Sequence, residues 1–154
     1  MKTTTHSSTS QRQHHSAFSR ASHLSLEHAP HAVRTARQHA RTTLHAWGLP
    51  LPIIEDAVVV ISELVTNAHL HTPNGPADIH LLTHDQGLVI SVRDTCPATT
   101  DLPAAPPGTD EDHGRGLNIV RALAEAFGWS HGLSGKIVWA RLSLRSAYRP
   151  PCAS

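Results

Sequence analysis

The segment that most constrains how this chain can fold runs from Pro52 to His69, where Ile54, Ala57, Val58, Ile61, Leu64, Val65 and Ala68 recur at steps of three and four. That period belongs to an α-helix with a broad apolar stripe. Pro52 suits a first helical turn, and Glu55 and Asp56 are expected in that turn, where carboxylates favour the helix dipole. The same segment carries Glu63 and Asn67 four residues apart, which stacks them on one flank of the helix. A carboxylate can take the proton of an attacking hydroxyl or water, and an amide oxygen can ligate a hard cation such as Mg²⁺. The pair therefore suits phosphoryl transfer, although a solvated polar face is the commoner use of such spacing.

The chain of 154 residues, poor in aromatics, fits one domain with an aliphatic core. A net charge of +1 and arginines spread along the chain leave no electrostatic footprint for nucleic acid, so no direct nucleic-acid partner is expected. Cys96 and Cys152 lie far apart and argue against a disulfide framework, which fits a reducing cytoplasm. No segment has the apolar length of a membrane span, and the polar N-terminus is unlike a signal peptide. Fourteen histidines invite a metal reading at His69 and His71 or at His80 and His84. Without an HExxH or zinc-finger spacing, they read as surface histidines.

Residues 1–20 are rich in Ser, Thr, Gln and His and read as a disordered tail, followed by a domain over 21–146 and a loose tail over 147–154. A strand is expected from Ser22 to Glu27 and a helix from His31 to Ala46, opened by Pro30 and stopped by Gly48 and Pro50. Val33, Ala36, Ala40, Leu44 and Trp47 are its apolar stripe. After the long helix and the turn Thr72-Pro73-Asn74-Gly75-Pro76, strands over Asp78–Thr83 and Leu88–Arg93 read as a hairpin. Thr95 to His113 is proline-rich and long enough to be a lid. Gly114-Arg115-Gly116-Leu117 opens a third helix, expected to carry Phe127 on its apolar side and to stop at Gly128. Strands over Trp129–Leu133 and Ile137–Leu144 close the order β-α-α-β-β-lid-α-β-β.

Three segments then stand in a suggestive order: Glu63 with Asn67, Asp94 at the end of an apolar strand, and Gly114-Arg115-Gly116 at a helix start. Asp94 could accept a hydrogen bond from an adenine amino group, or simply cap a turn. The glycines could let backbone N–H groups approach phosphate, or simply begin a helix. No GxxxxGK[ST] loop and no GxGxxG after a strand is present, so neither a Walker P-loop nor a Rossmann site accounts for them.

Taken together, Glu63 to Ala68 (ELVTNA), Val92-Arg93-Asp94, Gly114 to Leu117 (GRGL) and Gly135-Lys136-Ile137-Val138-Trp139 resemble the GHKL ATP-binding domains of histidine kinases, gyrase-type ATPases and heat-shock chaperones. The likeness is nearest to the single-domain anti-sigma-factor serine/threonine kinases and their actinobacterial relatives, and covers roughly Ser22 to Leu144. It implies a two-layer α/β (α+β) sandwich of the Bergerat type, with a mixed β-sheet, three main helices and ATP·Mg²⁺ held between helices and lid. By the same resemblance Glu63 is the general base, Asn67 the Mg²⁺ ligand and Asp94 the adenine contact. Gly114, Arg115, Gly116 and Leu117 close over the phosphates, and Lys136 lies near the nucleotide.

The resemblance further implies a regulator that phosphorylates a serine on an antagonist protein. A sigma factor or anti-sigma antagonist is then the protein partner, and a homodimer the assembly. A histidine-kinase phosphoacceptor helix is not found. The family's adenine motif continues Asp-x-Gly-x-Gly, whereas this chain reads Asp94-Thr95-Cys96-Pro97-Ala98. That departure motivates the alternative of a non-catalytic module in which bound nucleotide orders a surface for a partner. A relative that binds no nucleotide is disfavoured by the presence of Glu63, Asn67 and Asp94.

Overall fold

The computed structural model describes residues 19–72, 74–84, 87–95, 114–132 and 135–145. In chain order its elements are β1 (Arg20–Ser25), α1 (Ala32–Ala46), α2 (Leu51–His71), β2 (Pro76–His84), β3 (Gly87–Asp94), α3 (Gly114–Leu123), β4 (Ala126–Gly132) and β5 (Gly135–Ser143). Residues 1–18 of the expected N-terminal tail, 96–113 of the expected lid with Cys96, 146–154 with Cys152, and residues 73, 85–86 and 133–134 lie outside the described residues, whereas Arg20, expected in the N-terminal tail, belongs to β1. Among the described residues, no helix is long and apolar enough to cross a membrane.

The five strands form one sheet in the order β1-β2-β3-β5-β4, with three helices laid on one face, an α+β sandwich. Every neighbouring pair is antiparallel, which corrects the expected mixed sheet. The connections explain this. Two helices separate β1 from β2 and return the chain to the end it left, so β2 runs back along β1. β3 and β4 run in the same direction, but β5 inserts between them and no parallel pair becomes adjacent.

The long helix is the centre of the helical layer. α2 touches α1, α3, β2, β3 and β5, so it buries Ile53 and Val60 in addition to the expected stripe. It starts at Leu51, with Pro52 in the first turn and Glu55 and Asp56 beyond it. The expected dipole role of those carboxylates is therefore corrected, and Glu55 instead accepts a hydrogen bond from Arg41 of α1 at 3.2 Å. On α1, Ala36 and Ala40 are fully buried, and their small side chains let its backbone approach α2. Ser22 of β1 lies 2.9 Å from Nε2 of His39, tying the first strand to the first helix.

The third helix ends at Leu123, four residues before the expected last helical residue Phe127. Phe127 pairs with Ala140 and Gly128 with Trp139, both inside β4. The sequence Ala126-Phe127-Gly128-Trp129-Ser130-His131 alternates small or polar with aromatic residues, a strand pattern the helical reading missed. A side chain at Gly128 would lie 2.9 Å from the Trp139 indole, so this glycine makes room across the ladder. Sheet parity is clear along β2: Ile79, Leu81 and Thr83 are buried toward the helices, and His80, Leu82 and His84 are exposed on the other face.

Two outcomes test this account. Ile61→Ala, which empties a fully buried site under the sheet, is expected to lower unfolding free energy by about 2–5 kcal/mol in denaturant titration. His39 is held below the ordinary imidazole range first by burial and then by the nearby charge of His23. Its neutral form is thus favoured in the fold. The corresponding stability is present above the unfolded imidazole pKa and declines as pH falls through it toward the lowered folded value. His39→Gln is expected to show a shallower stability loss between about pH 7.5 and about pH 5.5 than the unaltered chain.

Candidate functional site

Glu63 and Asn67 stand half-buried on the flank of α2, each beside the buried stripe of Leu64 and Ala68. Glu63 turns toward α3. A β-carbon on Gly116 would collide with the Glu63 carboxylate oxygen Oε2 and lie 3.4 Å from its Cδ. The absent side chain at Gly116 is therefore the space that the carboxylate occupies, and it seats Glu63 against the first turn of α3. Backbone N–H groups in a helix's first turn lack intrahelical partners and attract negative charge. Val120 anchors this helix in the main core, and Leu117 is buried as well. Gly114 and Arg115 open the helix, and the expectation for the Arg115 side chain lies outside the described structure.

Asp94 is the last residue of β3 and is only 6% exposed, on the helix-facing side of the sheet together with Ile90 and Val92. Its Oδ1 accepts a hydrogen bond from the backbone N–H of Lys136 at 3.2 Å. The contact made by Lys136 is thus through its backbone to Asp94, with its side chain half-buried. Gly135 makes that contact feasible. Its φ of 129° is one that only glycine adopts readily, and a β-carbon there would overlap the carbonyl oxygen of Asp94. The Gly-Lys turn was visible in sequence, but the packing of its backbone on Asp94 was not, because that approach joins residues 42 apart.

The end of β3 is held from the other side as well. A register shift between Pro76 and Asp78 lets Pro76 oppose Asp94 and Asp78 oppose Arg93. Such bulges re-aim side chains near sites. Arg93 donates from Nε to Asp78 at 2.8 Å and also from Nη2. The hydrogen bond to Asp78 raises the Arg93 pKa, against a smaller opposing effect of burial. Neighbouring Thr95 has a buried hydroxyl without a hydrogen-bond partner among the described residues.

Two arrangements therefore lie on the helix side of the sheet: Glu63 against Gly116, and Asp94 against Gly135 and Lys136. α2 bridges them, because it packs on both β3 and α3. Asn67 is one turn beyond Glu63 on the same flank. Oxygen donors from a carboxylate and an amide are the hard ligands Mg²⁺ prefers, and Mg²⁺ commonly takes only one or two from protein and the rest from water and phosphate. The donor set fits that ion.

Residues 26–142 match the family described as histidine kinase-like ATPase domain. No curated protein matches the chain. The matched span begins just after β1 and ends within β5, so it contains α2, β3, α3 and both arrangements above.

The two glycines should respond differently to substitution. Gly135→Ala drives a β-carbon into backbone at a strained φ, and is expected to destabilise by at least about 2 kcal/mol in denaturant unfolding. Gly116→Ala meets the movable end of Glu63 inside a helix, where alanine is the better helix former. Its unfolding midpoint should stay level or rise while any activity depending on Glu63 falls.

Proposed function

The chain belongs to the histidine kinase-like ATPase domain family, and from that premise we propose that it is an ATP·Mg²⁺-binding regulator that phosphorylates a serine on an antagonist protein. The observation that carries this reading is the seating of Glu63 against Gly116 at the start of α3, on the same side of the sheet as the buried carboxylate of Asp94. In this reading Asp94, oriented by the Lys136 amide, accepts the adenine amino group. The α3 N-terminus at Gly114 to Gly116 faces the phosphates, with Arg115 as a charge partner. Asn67 supplies an amide oxygen to Mg²⁺, which when bound neutralises phosphate charge. Glu63 takes the proton as the serine oxygen bonds to the γ-phosphorus and the bond to the ADP oxygen breaks.

A second reading has support from one observation. The two glycines usual after the adenine-contacting aspartate are absent, and the buried hydroxyl of Thr95 in that stretch has no hydrogen-bond partner among the described residues. In that reading nucleotide binding serves only to present a surface to a sigma factor or another regulator, and the protein works without phosphotransfer, as a monomer or a homodimer.

Calorimetric titration with ATP and ADP, with and without Mg²⁺, tests the shared premise. Asp94→Asn is expected to weaken binding about 10- to 100-fold, as loss of a hydrogen bond to a charged group does. Asn67→Ala should remove the Mg²⁺ enhancement and leave metal-free ADP binding intact. No binding at millimolar nucleotide in the unaltered chain would refute both readings. Transfer of labelled γ-phosphate to protein, reduced about 10²- to 10⁴-fold by Glu63→Ala, separates the kinase from the binding module.

A further inference from the structure

The face of the sheet opposite the helices carries a second cluster that the nucleotide reading does not use. His23 and His80 are directly opposed across the β1/β2 ladder, and Asp78 shares their face two residues before His80. The histidine side chains are each about half exposed, with ring centroids 4.5 Å apart. Asp78 differs, since it is 3% exposed on a face where its strand neighbours His80, Leu82 and His84 are open to solvent.

The two carboxylate oxygens of Asp78 have unequal surroundings. Oδ2 receives both hydrogen bonds from Arg93. Oδ1 is buried and has no hydrogen-bond partner among the described residues, although His80 Nε2 lies only 3.1 Å from it. That nitrogen is near without the alignment of an N–H donor. His23 Nε2 is 4.0 Å from Oδ2, and one ligand atom from each of the three residues lies within 4.8 Å of the others. A buried carboxylate oxygen without a hydrogen-bond donor has lost its hydration without full compensation. A cation placed between Oδ1 and the two imidazoles would supply that compensation.

We propose that His23, Asp78 and His80 form a site for a divalent transition-metal ion of the Zn²⁺ type, separate from any ion that accompanies nucleotide on the helix side. Two imidazole nitrogens and one carboxylate oxygen are the ligands such ions take, and hard Mg²⁺ or Ca²⁺ would disfavour them. With metal–ligand bonds of about 2 Å, ligand atoms around a tetrahedral ion stand about 3.3 Å apart. The His80 to Asp78 separation of 3.1 Å already meets that spacing. His23, which is half exposed, can rotate its imidazole toward the other two ligands. Arg93 fixes the Asp78 carboxylate through its other oxygen, an outer contact of the kind that orients metal ligands. Three protein ligands leave a fourth position for water or for a donor from a partner.

The test is calorimetry with Zn²⁺ on the tag-free full chain, and the same titration on His23→Gln and His80→Gln. Both changes fall at exposed positions, and circular dichroism verifies that each variant is folded. The proposal predicts one high-affinity Zn²⁺ per chain, weakened at least about tenfold in each variant. Co²⁺ added to the unaltered chain should give visible ligand-field absorption that both variants lose. Equal Zn²⁺ affinity in all three proteins would place the ion on other histidines and overturn the proposal, as would no binding at submillimolar Zn²⁺.

Discussion

The structure depends on the burial of α2 against the sheet. Its residues Ala57, Val60, Ile61, Leu64 and Val65 are almost wholly removed from water, facing Ile79, Leu81, Leu88, Ile90 and Leu142. Burial of this kind is the largest favourable contribution in a domain of this size. It also sets direction. Once the apolar side of α2 is fixed on the strands, its flank carrying Glu63 and Asn67 has no freedom to turn, and α3 packs beside that flank. The polar residues are placed by the apolar ones between them.

Close backbone approach then refines that placement. Gly116 leaves room for the Glu63 carboxylate, and Gly135 lets β5 begin directly against Asp94. In each case the missing side chain is occupied by a group from an element distant in sequence. A helix start and a tight turn are the local uses of these glycines, and the tertiary uses are superimposed on them. Asp94 is additionally flanked by Arg93, whose tie to Asp78 anchors the strand end from the opposite face. The strand alternation thus puts adjacent residues to separate uses, one on each side of the sheet.

That two-sidedness also separates the chemistry. Oxygen donors from Glu63, Asn67 and Asp94 belong to the helix side, where a hard cation and phosphate are suited. The imidazoles of His23 and His80, with the second oxygen of Asp78, belong to the other side and suit a softer ion. The intervening sheet makes the two sites independent in space, although the Arg93-Asp94 step of β3 contributes to both neighbourhoods.

Sequence alone determined the elements whose pattern is local. The three-and-four recurrence along α2, the apolar stripe of α1 and the alternation in β2 and β3 each follow from a helix or strand periodicity that neighbouring residues carry themselves. The order of the chemical motifs was likewise readable, and so was the α+β sandwich through the resemblance. Tertiary structure decided what depends on residues far apart. The helix expected to reach Phe127 stops at Leu123 because β4 gains partners in β5, and the strands are all antiparallel because β5 enters between β3 and β4. The cluster of His23 with Asp78 and His80 was invisible for the same reason: one histidine arrives from another strand, in a register that only sheet pairing fixes. Periodicity records which way a side chain points along its own element, and only packing determines what it meets there.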